Sequence, residues 1–194
     1  MMCTRKPANA TMLHSLNRIC LLAIQSAVVA ACACAIPSPA AAADAPQTMP
    51  RVRGGDPSIA ALIREATERS ATFRRLVETI DATDGIVYVD QGTCRRGAQA
   101  YLALTVTMAG PHRILRIVVD TRREQTALMA AIGHELRHAV EVLSDRAVTN
   151  DHAIYFFYQR EAPTGKERFE TPAAIRAGLE VLAEVRSRSG AGSR

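Results

Sequence analysis

One six-residue stretch constrains this chain more than any other: Gly133-His134-Glu135-Leu136-Arg137-His138. It lies between Leu128, Met129, Ala130, Ala131 and Ile132 on one side and Ala139, Val140, Val142 and Leu143 on the other. A helix through these residues is mostly apolar and belongs in a core. Two histidines and a glutamate are costly to bury there unless something pairs with them. Residues i and i+4 share a helix face, so the imidazoles of His134 and His138 can converge on one metal ion. Glu135 sits about 100° round the helix from His134, within reach of a water at that ion.

A catalytic zinc site takes three protein ligands and keeps one position open. The helix supplies two, so the third must come from elsewhere. Glu141 lies on the same face a turn later and leans back towards His138, which suits it to the outer nitrogen of that ring. His152, Asp145, Asp151, Glu161 and Glu167 are further candidates downstream. Glu170 is the strongest. It opens a helix whose Ile175, Leu179, Val181 and Leu182 are expected to pack on the motif helix, and a carboxylate at a helix start is steadied by backbone N–H groups and the dipole.

The first part of the chain reads as a leader. Arg5, Lys6 and Arg18 precede an apolar run from Ile19 to Ile36, and Pro37, Pro39 and Ala41-Ala42-Ala43 follow. A basic start, an apolar centre and small residues at the end form the pattern of a signal peptide over residues 1–43. Val29-Ala30-Ala31-Cys32 also resembles a lipobox, which would place a lipid anchor on Cys32. An exported protein follows, periplasmic, envelope-bound or extracellular, with no transmembrane helix in its mature form. The leader holds three of the 24 Lys+Arg and no acid, leaving 21 basic against 19 acidic side chains. That mixed balance gives no reason to expect nucleic acid as a partner. Four of the five cysteines fall in the leader, so Cys94 has no intramolecular partner in the mature chain and reads as a small hydrophobe or an odd thiol.

Residues 44–57, with Pro46, Pro50, Gly54 and Gly55, read as a linker. One domain is expected over 58–187, followed by a disordered tail, 188–194. Asp56-Pro57 caps a helical segment that breaks near Ser70, giving helices at about 58–69 and 71–80. Ile86–Val89, Ala100–Met108 and His112–Val119 alternate as strands, with Gly110-Pro111 turning the last two into a hairpin. The fold class is therefore α+β, with a small, mostly antiparallel three-stranded sheet. The motif helix should run over about 122–144, capped by Asp120 or Thr121. Asp151–Arg160 reads as a helix or, through Tyr155–Tyr158, a strand. A last helix starts at Glu170 or Thr171 and runs to about Arg188.

This order of elements, with His134-Glu135-x-x-His138 and then Glu170, resembles the zincin metallopeptidases. It is most similar to the gluzincin type and its very small bacterial minigluzincins. The resemblance covers about residues 58–187, and its specific part is the motif and Glu170. It implies Zn2+ bound by His134, His138 and Glu170, with Glu135 as general base in peptide-bond hydrolysis. Arg137 stands where that family usually has an uncharged residue, and Ala174 where an Asp often follows the third ligand. Glu141 and Ser144 occupy the Gly and His positions of the metzincin pattern, which excludes it. Tyr155, Tyr158 and His152 are candidates for stabilising an oxyanion. A strand edge within Ala100–Met108 is expected to hold an extended peptide or protein substrate. The alternative is a non-catalytic, metal-stabilised or peptide-binding module on the same scaffold.

Overall fold

A computed structural model describes residues 49–94, 97–161 and 169–191, with side chains as far as Ser187. These residues fall within one unit, Pro46–Arg194. The leader, with Cys32, and Glu167 lie outside the described residues. The fold is α+β, with five helices and a mixed five-stranded sheet.

Strand β1 (Val52–Gly54) leads into helices α1 (Pro57–Arg69) and α2 (Ala71–Asp81), then strand β2 (Gly85–Gln91). Asp56 caps α1 by accepting from the N–H groups of Ser58 and Ile59, with Pro57 in the first turn, as expected. Ser70, in extended backbone, ends α1 and caps α2 through Phe73 N. Strands β3 (Ala100–Leu102), β4 (Thr107–Ala109) and β5 (His112–Val119) complete the sheet. The expected hairpin joins β4 to β5. Gly110 has φ 58°, a conformation that suits glycine at a tight turn.

The expected three-stranded, mostly antiparallel sheet is corrected in two ways. Residues 52–54, inside the stretch read as a linker, form β1 and pair with β2 in parallel. A three-residue strand between Pro50 and Gly55 is too short to show alternation. The long β2 and β5 are also parallel neighbours, in the order β1-β2-β5-β3, with β4 pairing to β5. Only β3 and β4 run antiparallel to β5. Ala100–Met108 is not one strand either. Leu102 faces Ile117 while Thr107 faces Ile114, so two extra residues bulge between β3 and β4. In that bulge Val106 turns into the core and its N–H donates to Asp151 Oδ1 at 2.9 Å.

Helix α3 (Gln125–Ser144) carries the motif. It starts later than expected. Glu124 caps it by accepting from Thr126 N and Ala127 N, while Asp120 is engaged by Arg122. Its apolar side, with Leu128, Met129, Ile132, Leu136, Ala139, Val142 and Leu143, is buried. Large side chains buried in this way contribute roughly 1.5–3 kcal/mol each. The other end is held by Arg113 of β5, which is 1% exposed. Its guanidinium donates to the carbonyls of Val142, Leu143, Asp145 and Val148 and to the Asp84 carboxylate. The last carbonyls of a helix have no partner within it, and here one side chain satisfies several of them. Helix α4 (Asp151–Glu161) is helical, which removes the strand alternative for Tyr155–Tyr158. Helix α5 (Pro172–Ala191) extends past Arg188 into the expected tail.

The face of α5 towards α3 matches the expected one in part: Val181 is buried and Leu182 packs against the core. Ile175 and Leu179 are exposed, 47% and 62%, while Ala174, Ala177, Val181 and Val185 are buried. Small residues let the helices approach closely. A Cβ on Gly133 of α3 would stand 2.8 Å from Val181 Cγ2, and one on Gly178 of α5 would stand 3.2 Å from His134 Cβ.

Candidate metal centre

His134 and His138 present their rings on one face of α3, with centroids 4.9 Å apart. His138 is buried and His134 partly so. Glu170 reaches them from just before α5. Its Oε2 lies 3.0 Å from His134 Nε2 and 4.0 Å from His138 Nε2. One donor atom from each of the three side chains falls within 4.8 Å of the others, the one such group of His, Cys, Asp or Glu among the described residues. Ligands at zinc bond lengths in a tetrahedron stand roughly 3.3 Å apart, so small side-chain movements would bring these atoms to coordination distance. Two imidazoles and a carboxylate fit zinc, and they also fit other divalent metals that prefer nitrogen and oxygen.

Glu170 was expected to open α5, but the helix begins at Pro172 and Glu170 lies one residue before its cap. Thr171 caps the helix, with Oγ1 accepting from Ala174 N at 3.1 Å and its carbonyl from Ile175 N.

Glu141 takes the place read for it. Its Oε2 is 3.0 Å from His138 Nδ1. An ionised carboxylate only accepts, so Nδ1 donates to Glu141 while Nε2 faces Glu170. Glu141 Oε1 accepts from Thr171 Oγ1 at 2.8 Å and faces Arg137 Nε at 3.4 Å. Burial acts on Glu141 to raise its pKa, but the bonds from His138 and Thr171 outweigh that and hold it below the usual value. For His134 burial is the largest influence and works downward. The hydrogen bond with Glu170 and the nearby carboxylates reverse it, leaving the ring above its ordinary value.

Glu135 is 9% exposed. Its Oε2 accepts the backbone N–H of Leu102, on β3, at 2.8 Å. Ala103 N bonds to Arg116 O of β5, and Gln99 O accepts from Asp120 N just beyond that strand, so in the alternation Leu102 points its main-chain groups away from the sheet. Burial raises the Glu135 pKa, and the charges of His138 and His134 offset only part of that.

No known protein family, curated protein or solved structure matches the chain.

Among the described residues, the other candidates contribute no further donor to this cluster. Tyr158 is buried, with its edge against the His138 ring at 5.5 Å, and its hydroxyl donates to the His138 carbonyl. That bond supports the back of the motif helix and occupies the hydroxyl proton an oxyanion would need. Tyr155 accepts from Gln159, and its ring rests on Phe156 and Phe169. His152 is exposed and packs edge-on to Phe156. Asp145 and Glu161 pair with Arg160, and Asp151 holds Val106 N. The Cys94 thiol donates to Val118 O at 3.7 Å, and burial pushes its pKa up. Three contributors escaped the sequence reading: Leu102 N–H, Thr171 Oγ1 and Gly178. A main-chain donor leaves no mark on residue type. Thr171 was visible as a helix start, but not as a partner of Glu141.

Proposed function

We propose that this chain is a zinc-dependent peptidase of zincin type, exported from the cell, with His134, His138 and Glu170 as metal ligands and Glu135 as general base. The observation that carries the reading is the convergence of those three donor atoms beside a buried carboxylate. Zinc held there would supply a Lewis acid that acidifies water and polarises a carbonyl. Glu135 then accepts the proton of the attacking water and passes it to the leaving amine as the C–N bond breaks. Burial raises its pKa above the usual carboxylate value, which favours a carboxylate that takes up a proton. Leu102 N–H holds one carboxylate oxygen and leaves the other for the water. The outward edge of β3 lies beside this carboxylate, which supports an extended peptide as the substrate.

The test is metal content and peptide cleavage of the purified chain and of His138→Ala. The wild type is expected to hold one zinc and cleave, and His138→Ala to lose both. Zinc without cleavage over a broad peptide set would favour the non-catalytic, metal-stabilised module. No metal uptake by the wild type would overturn the reading.

A further inference from the structure

Thr171 stands where two ligand systems meet. Its side chain bonds Glu141, the carboxylate that orients His138, and its backbone is joined directly to Glu170. The residue is 7% exposed. Its hydroxyl is used in both directions: the proton goes to Glu141 Oε1 and a lone pair takes Ala174 N–H. The first bond ties the start of α5 to α3. The second fixes the backbone on which Glu170 is carried. The third ligand lies outside a helix and lacks the rigidity of one, whereas site geometry must hold to about 0.5 Å.

We infer that Thr171 is a positioning residue that sets the second and third ligands together. This inference rests on the proposed metal site. Glu141 needs a donor on Oε1 so that Oε2 stays on His138 Nδ1. The neighbouring donor, Arg137 Nε, is longer at 3.4 Å and on a side chain that is 36% exposed, so Thr171 supplies the defined contact. Glu141 and Thr171 act from either side of the helix interface, one on α3 and the other at the start of α5.

A structural role as a helix cap must be separated from this. Thr171→Asp keeps an oxygen to accept Ala174 N–H, but it cannot donate to Glu141 and places a like charge beside it. Thr171→Ser keeps both bonds, and Thr171→Val loses both. The full chain is measured in three ways. These are zinc affinity by competition with a chromophoric chelator, the visible spectrum of the Co2+-substituted protein, and the nitrogen-15 shifts of His138 without metal. Loss of a partner behind a metal ligand typically weakens binding about 10–100-fold, the range expected for Thr171→Asp and Thr171→Val. The cobalt bands should shift in Thr171→Asp, and its His138 should become a mixture of tautomers while the wild type stays protonated at Nδ1. Thr171→Ser should behave as the wild type. A Thr171→Asp protein with wild-type zinc affinity and an unshifted cobalt spectrum overturns the inference. If the wild type binds neither ion, the metal reading has failed and the nitrogen-15 shifts decide. An unchanged His138 tautomer in Thr171→Asp then overturns the positioning role too.

Discussion

Glu135 is anchored by a main-chain amide at the edge of the sheet. That contact makes Glu135→Gln an informative substitution. The amide oxygen of glutamine can still accept from Leu102 N–H, so the side chain keeps its place, and the three proposed metal ligands are untouched. What is lost is the ability to take a proton. The expected outcome is full zinc content with hydrolysis lowered about 10²–10⁴-fold, the usual contribution of a general base. Zinc analysis beside peptide-cleavage rates checks it. Equal rates in wild type and Glu135→Gln would remove Glu135 from the reaction.

Between α3 and α5 the packing rests on small residues, and this is where the site is most exposed to distant damage. Gly178 lies against His134, so a β-branched side chain there must push the helices apart or displace the ring. Gly178→Val is expected to cost about 1–3 kcal/mol by overpacking and to weaken zinc binding as well. Urea unfolding and zinc competition on the same protein would show it. A variant with unchanged affinity would mean that His134 takes its position from α3 alone. The same interface shows what a sequence can and cannot convey. The motif, its helix, the break at Ser70 and the turn at Gly110 were legible because each rests on local spacing or turn chemistry. The inward face of α5 was legible only at Val181 and Leu182. Hydrophobicity selects Ile175 and Leu179, whereas two closely packed helices select Gly178, Ala174 and Ala177. Sheet order was hidden for a related reason. That β2 and β5 are parallel neighbours depends on pairing between distant segments, which alternation along either strand does not encode. Within the bulge at 103–106, Val106 N is held by Asp151, much further along the chain.

For the molecule as a whole, Arg113 joins the centre of the sheet to the far end of the motif helix. Replacing it with Met is expected to cost about 3 kcal/mol, the low end for breaking a buried ion pair, because Asp84 is 42% exposed and partly solvated. The hydrogen bond from Arg113 holds the Asp84 pKa below its ordinary value of 3.8. A carboxylate lowered in the folded state adds stability that is complete above its unfolded value. That stability is lost as pH falls through the lower folded value. Asp84→Asn should therefore lower Tm at neutral pH and make its decline shallower as the pH falls below the ordinary carboxylate value of 3.8. An identical pH dependence of Tm in both proteins would exclude Asp84 from the acid response. The placement of the proposed metal ligands has a consequence of another kind. Two lie on α3 and one before α5, so a shared ion would turn the intervening chain, α4 included, into a closed ring. It would act as a reversible cross-link. The chain would lose loop entropy once, when the ion enters, and α4 could then open only as a tethered arc.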